Sequence, residues 1–424
     1  MLRVYRYRLY PTEAQAAALW QQGNLLRRFY NAALEQRISA WRKQRVTVGY
    51  YDQAAEIAAV KRECPEYAEV HTHLLQDALK RLELAFRAFF RRCKAGEKPG
   101  FPRFKGEGRY NTFAFQDAAR GNGAAVVAGE RRVRIAGAGN VKFKYHSSDP
   151  AKRGYRPMRG VLKTIAVTLG GDGNWYVLIT REMDRPEPLP STGRELGGDP
   201  GLHSFMAFSD GEIVGNPRPL ETARIRMERA QRKVDRREKG SHRRDEARQD
   251  LAHAHAHVAN VRRDFQHKLA RRLVDTCDRI ALEDNNLVAL GRSFLARSFH
   301  DAAHGAFNTI LAAKAEEAGR RLDLVEARNN TQDCSGCGEY VPKGLDERIH
   351  ACPRCGLVLD RDVNAARNVL KRGQAIWRKL EALGLDGTPA VPAPAKKIRP
   401  GWGRRRAAPA GGDGQDPRSP HLER

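Results

Sequence analysis

Two Cys-x-x-Cys pairs, Cys334 with Cys337 and Cys352 with Cys355, stand 14 residues apart near the end of this chain. Two tight thiolate pairs joined by a short hairpin close a tetrahedral site of four sulfurs, so the spacing predicts one structural Zn2+ held by all four. Gly336, Gly338 and Gly356 permit the turns that aim the sulfurs. The chain has 7 cysteines. An odd number with paired short spacings fits metal binding in a reducing compartment better than a disulfide framework.

The 424 residues are too many for one ordinary core, so two to four domains are expected. Lys and Arg number 76 against 50 Asp and Glu, a formal net charge of +26. A charge of that size makes sense beside a polyanion, and phosphate backbones supply one. A membrane partner is not expected, because no run of about twenty apolar residues occurs. From Arg224 to Arg272, 16 basic residues face 7 acidic ones. This stretch reads as a helical pair turning near Lys239-Gly240-Ser241, and its one-signed charge favours a phosphate track.

Residues 2–9 alternate as a strand with Tyr5, Tyr7 and Leu9 on one face and Val4, Arg6 and Arg8 on the other. Thr12 with Gln15 has capping-box spacing, so a helix should start there. Residues 13–93 are helical in pattern, most clearly at Leu75, Leu79, Leu82, Phe86, Phe89 and Phe90. Residues 101–190 read as strands and turns. Residues 196–214 read as two strands around Ser209-Asp210-Gly211. Leu251, Ala254, Val258, Val261 and Phe265 predict an apolar seam, while His253, His255 and His257 lack a nearby cysteine to complete a second zinc site. From 381 the Pro-, Gly- and Arg-rich tail should be disordered.

Three carboxylates stand where strand ends or helix starts are expected: Asp199 after Leu196-Gly197-Gly198, Glu283 after Ile280-Ala281-Leu282, and Asp362 opening the last helix. Converging, such oxygen ligands would suit Mg2+. Two ions about 4 Å apart would activate a water and stabilise the leaving oxygen of a phosphodiester.

At these residues the chain closely resembles TnpB, the family of transposon-encoded RNA-guided nucleases related to type V CRISPR effectors. The matching stretches include Arg8-Leu9-Tyr10-Pro11-Thr12, Phe101-Pro102-Arg103-Phe104-Lys105 and Asp199-Pro200-Gly201-Leu202. They continue with Glu283-Asp284-Asn285-Asn286, both cysteine pairs, and Asp360-Arg361-Asp362-Val363-Asn364-Ala365-Ala366. The resemblance spans about residues 1–375. It implies a multidomain α+β, bilobed protein. One lobe is a wedge β-barrel (1–10 and 101–190) interrupted by a helical recognition domain (11–100). The other is a ribonuclease H-like RuvC nuclease domain (191–333 and 356–380) interrupted by a zinc ribbon (334–355), with the tail at 381–424. Asp199, Glu283 and Asp362 match the family's catalytic, magnesium-binding positions, with Asp360 the rival of Asp362. Gly198 and Pro200 depart from the family's bulky aliphatics, so a looser first catalytic strand is expected.

The resemblance implies an RNA-guided DNA endonuclease that cuts beside a short adjacent motif. Its partners would be a guide RNA and double-stranded DNA, and it would be a monomeric protein with one RNA in a prokaryotic cytoplasm, nucleoid-associated when bound. Two other readings stand beside it: a miniature type V CRISPR effector with a CRISPR RNA guide, and a non-cleaving zinc-ribbon DNA-binding regulator. The complete acidic triad argues against the last.

Overall fold

A computed structural model of the chain describes residues 1–121, 123–127, 131–145, 157–284, 296–344 and 347–385. Most of the tail at 381–424 and the pair Asn285-Asn286 lie outside these residues.

The first body combines helices and an antiparallel sheet. Strand β1 (Leu2–Tyr10) buries Tyr7 and Leu9 and exposes Val4, Arg6 and Arg8, as alternation predicts. Helix α1 (Glu13–Gln44) follows, and Thr12 caps it. The Gln15 N–H donates to Thr12 Oγ1 at 3.3 Å, and the Thr12 N–H donates to Gln15 Oε1 at 3.1 Å. Three short helices, α2 (Tyr50–Ala55), α3 (Ile57–Glu63) and α4 (Pro65–Ala68), lead to α5 (Thr72–Lys94).

Six further strands follow: β2 (Thr112–Phe115), β3 (Ala124–Val127), β4 (Arg132–Ile135), β5 (Gly139–Phe143), β6 (Val161–Leu169) and β7 (Trp175–Glu182). They order as β2-β6-β7-β1-β5-β4-β3. Where a closed barrel is expected, the described strands form an open sheet edged by β2 and β3. β1 bridges its two halves, giving its first residues to β7 and its last two to β5. Helices and sheet share one core. Leu19, Leu26 and Leu34 of α1 and Leu75, Leu79 and Leu82 of α5 pack in the same buried cluster as Phe113, Phe115 and Val177.

The second body is a five-stranded mixed sheet between helices. Its strands are β8 (Glu195–Pro200), β9 (Ser204–Phe208), β10 (Ile213–Gly215), β11 (Arg279–Asp284) and β12 (Arg321–Glu326), in the order β10-β9-β8-β11-β12. Residues 196–214 thus form three strands rather than two, and Ser209-Asp210-Gly211 joins the second to the third. β8 pairs antiparallel with β9 and parallel with β11, and β11 pairs parallel with β12. After β10 come α6 (Pro219–Thr222), α7 (Arg224–Asp235) and the 35-residue α8 (His242–Thr276), and after β11 come α9 (Ala296–Ala302) and α10 (His304–Ala318).

One face of this sheet packs on α8 and α10 through Leu269, Leu273, Phe307 and Leu311. The other carries the last helix, α11 (Arg361–Ala382), through Val369 and Trp377. The α8 seam holds at Ala254 and Val258 but leaves Val261 exposed, because the straight helix rotates away and Arg262 turns in to pair with buried Asp301 at 2.6 Å. The ribbon hairpin, β13 (Ile349–Ala351) with β14 (Val358–Asp360), lies between β12 and α11 in sequence.

Candidate active site and metal centre

Strand register brings the first two carboxylates together. β8 and β11 run parallel with Leu282 opposite Gly198, so Glu283 and Asp199 are the next neighbours along the pair. Two residues back on each strand, Gly197 and Ala281 meet α11. A Cβ on Gly197 would lie 2.3 Å from the Ala366 carbonyl, and a Cβ on Gly373 would lie 2.5 Å from Ala281 Cβ. Side chains two residues apart share a face, so Asp199 and Glu283 also look towards α11. That helix begins with Asp362. The expected looseness of the first strand is absent: β8 pairs on both sides through Gly198. The missing side chains at 197 and 198 are what let α11 and the neighbouring strand side chains approach, since a Cβ on Gly198 would lie 2.7 Å from Leu282 Cδ2.

Asp199 is buried, and its carboxyl is held well above the usual carboxylate range. Burial is the first cause; the charge of Glu283, a hydrogen bond shared with it, and the charge of Asp362 follow. Glu283 Oε2 accepts from Asn330 Nδ2 at 3.1 Å. Asp362 faces two guanidinium groups, Arg361 Nε at 3.3 Å and Arg348 at 3.8 Å, the second contributed by the ribbon. Asp360 does something different. It is the N-cap of α11, its Oδ1 accepting from the backbone N–H groups of Asp362 at 2.8 Å and Val363 at 3.2 Å. Asp199 thus feels the charge of both other carboxylates, and carboxylate oxygens are the hard donors that suit a divalent cation such as Mg2+.

The four cysteines form the other centre. Their sulfurs all lie within 4.8 Å of one another, and among the described residues no other group of three or more His, Cys, Asp or Glu ligand atoms is gathered so tightly. The Cys334–Cys355 and Cys337–Cys352 sulfurs are each 3.6 Å apart. Sulfurs about 2.3 Å from a central zinc would be separated by about 3.8 Å, so the set fits Zn2+. The backbone N–H of Cys355, opposed by burial and aided by that of Arg354, draws the Cys352 thiol down to about 7. His253, His255 and His257 are exposed on α8 and belong to no such cluster.

Family models match three stretches: the "Probable transposase" family over residues 178–291, the "Cas12f1-like, TNB domain" over 304–369, and a "Helix-turn-helix domain" over 1–45. A "Putative RNA-guided DNA endonuclease" of Streptomyces pristinaespiralis is 34% identical over 385 residues, covering 88% of this chain and 90% of the relative. The chain belongs to the TnpB family. InsQ of Escherichia coli K12, with the same description, is 24% identical over 94% of this chain and 98% of its own length. The solved Cas12f1 chain in complex with single-guide RNA and target DNA shares the fold, with TM-score 0.54 and 11% identity over 87% of this chain and 98% of that one. Over 1–45 the structure has a strand and one 32-residue helix rather than a helix-turn-helix.

Within this TnpB-family chain, sequence reasoning missed the polar residues that tie the two centres together. Asn364 Oδ1 accepts from the Ser335 N–H at 2.8 Å, and its Nδ2 donates to the Asp333 carbonyl at 2.8 Å. Asn368 Nδ2 donates to the carbonyls of Asn330 at 2.9 Å and Asp333 at 2.7 Å. Both asparagines sit within the first two turns beyond Asp362, on α11. The available signal was two asparagines four residues apart, among Val363, Ala365, Ala366 and Val369 on the same helix; the structure buries both.

Proposed function

We propose that this chain is an RNA-guided DNA endonuclease of the TnpB type, cutting target DNA next to a short adjacent motif by metal-dependent hydrolysis in a prokaryotic cytoplasm. The observation that carries the proposal is the meeting of Asp199, Glu283 and Asp362 at one face of the five-stranded sheet. That mixed sheet between helices supports the ribonuclease H-like RuvC reading of 191–333 and 356–380. The cysteine cluster supports a zinc ribbon at 334–355. The helices at 11–100 and the sheet of 1–10 with 101–190 would be the recognition and wedge parts.

Asp199, Glu283 and Asp362 would hold Mg2+, as two ions. The bound metal would supply Lewis acidity and a water acidic enough to attack at neutral pH. The chain's own residues position this chemistry. Asn330 fixes one oxygen of Glu283, Asp360 fixes the first turn beneath Asp362, and Arg361 and Arg348 offer positive charge where a scissile phosphate would arrive. The basic pair α7 and α8 gives polynucleotide a phosphate track that carries no sequence preference, which leaves target choice to the guide.

The test is cleavage of a target-bearing plasmid with Mg2+ and the transcript of the protein's own locus. RNA-dependent cutting is expected, from a monomeric protein with one RNA. A folded protein with no affinity for that transcript would refute the reading. The transposase family model over residues 178–291 favours a transposon-derived guide, and the Cas12f1-like model over 304–369 makes a CRISPR RNA the alternative. Sequencing the RNA that copurifies separates the two.

A further inference from the structure

The first body carries an aromatic groove far in sequence from the carboxylates, formed where the end of α1 and the loop after it face the last turns of α5. It encloses about 730 Å3, and its lining includes Trp41, Phe86, Phe89, Phe90 and Phe101. The phenylalanines form a connected set: Phe86 and Phe90 stack at 6.2 Å, and Phe101 meets Phe86 and Phe89 edge-on at 5.6 and 5.3 Å. Trp41 is 52% exposed and Phe90 62%. Rings this open on a helix end are costly in water unless a partner covers them. We propose that this groove is a stacking site for unpaired nucleobases of a single-stranded nucleic acid.

Charge selects the occupant. The lining adds Arg37, Arg42 and Arg87, and its one carboxylate, Glu83, is already paired with Arg37 and Arg87 at 2.9 and 3.1 Å. A second copy would bring the same cationic rim against itself. A strand of nucleotides brings phosphates for the rim and flat faces for the rings, the combination on which sequence-tolerant binding to single strands rests. Arg37 adds an independent pointer. Its guanidinium is 8% exposed, lies 5.3 Å from the Phe86 ring centre, donates to Gln53 and Glu83, and leaves Nη2 with no acceptor among the described residues. A buried unsatisfied donor on the groove wall is suited to a ligand oxygen, such as a base carbonyl. The lining is richer in rings than in the leucine and methionine side chains that usually receive an amphipathic helix.

This deepens the nucleic-acid reading above, yet it is measured separately from cleavage. The probes are an oligothymidylate and an abasic strand of equal length, titrated without Mg2+ against the full chain. The abasic strand keeps every phosphate and removes every base. The wild type should prefer oligothymidylate by roughly tenfold or more. The Trp41→Ala/Phe90→Ala variant should bind both strands alike, with an unchanged unfolding midpoint because both rings are largely exposed. Equal binding of the two strands by the wild type, or a preference retained by a folded variant, overturns the proposal. So does a mass that doubles with concentration in the wild type alone, or displacement of oligothymidylate by an acidic helical peptide but not by excess mononucleotide. If the variant fails to fold, Phe90→Leu alone, which keeps the apolar volume and removes the ring, decides by the same preference.

Discussion

The cysteine centre and the carboxylate centre sit side by side, yet they are assembled in opposite ways. All four sulfurs come from one stretch of 22 residues and lie within 4.8 Å of one another. The three carboxylates come from β8, β11 and α11, spread over residues 199–362, and burial with like charge keeps Asp199 from ionising easily. The sulfur set is closed around a place for one ion, whereas the carboxylates are open, braced by arginines and an asparagine. A closed site stores folding energy, and an open one keeps positions for water and substrate. The two are joined by Asn364 and Asn368, which tie the backbone of Asn330, Asp333 and Ser335, leading into the ribbon, to the helix that carries Asp362.

If the carboxylates serve chemistry, removing one should produce the largest effect in the molecule. Asp199→Ala, Glu283→Ala and Asp362→Ala should each abolish plasmid cleavage while guide and target binding persist. Binding is carried by base pairing and a distributed basic surface. Cleavage needs every ligand, because a misplaced ion loses the attack geometry. A cleavage assay beside a binding gel reads both. Three variants that still cut would dismiss the nuclease reading of this site.

The sulfur centre should fail differently. Cys352→Ser should release zinc, of which metal analysis should find about one per chain in the wild type, and should destabilise the hairpin around 334–355. Because Asn364 bonds to the Ser335 backbone, and Asn364 and Asn368 both bond to Asp333 just before that segment, cleavage should fall along with the ribbon's protection from proteolysis. Full zinc content in the Cys334→Ser/Cys352→Ser double variant would show that other residues hold the metal.

A pH series separates the centres further. The folded pKa of Asp199 is raised, chiefly by burial and then by Glu283. A carboxyl raised on folding contributes stability that is full below its unfolded pKa and is lost as pH rises through the folded one. Metal-free protein should therefore lose stability as pH rises through that window, and Mg2+ should restore it more at the upper end. Metal-free Asp199→Asn should show the smaller loss. Thermal unfolding with and without Mg2+ measures this, and identical pH profiles for wild type and variant would contradict it.

These two centres also differ in what the sequence revealed. Cys-x-x-Cys spacing is local, so four ligands could be named without knowing the fold. The carboxylates are joined only by strand register and helix docking, which no local pattern encodes; strand ends and a helix start nominated them, and resemblance to a family added their role. The capping pair Thr12 and Gln15, the alternating β1 and the α7–α8 turn at Gly240 were legible for the same local reason. The open sheet was not, because β2 and β3 are close in sequence yet stand at opposite ends of the strand order, and whether two edge strands meet is not encoded in any local pattern. Gly198 misled, since a strand weakener by propensity becomes a requirement where the Leu282 and Met206 side chains pass within contact distance.

The smallest predicted effect tests the division of labour inside one turn of helix. Asp360 and Asp362 are two residues apart, and either could have been the ligand from sequence. In the structure Asp360 spends its Oδ1 on two backbone N–H groups at the start of α11. Replacing an N-cap by Ala costs about 1 kcal/mol, and the loss is concentrated in the first turn. Asp360→Ala should therefore lower the unfolding midpoint slightly and loosen the turn that aims Asp362, without removing a ligand. Its cleavage should be reduced modestly and recover at higher Mg2+, because a mobile ligand weakens metal affinity while leaving the complete donor set available. Asp362→Ala should show no such recovery at any Mg2+ concentration, since the missing oxygen cannot be replaced by mass action. A magnesium titration of both variants distinguishes cap from ligand. Recovery in Asp362→Ala with permanent loss in Asp360→Ala would exchange the two roles.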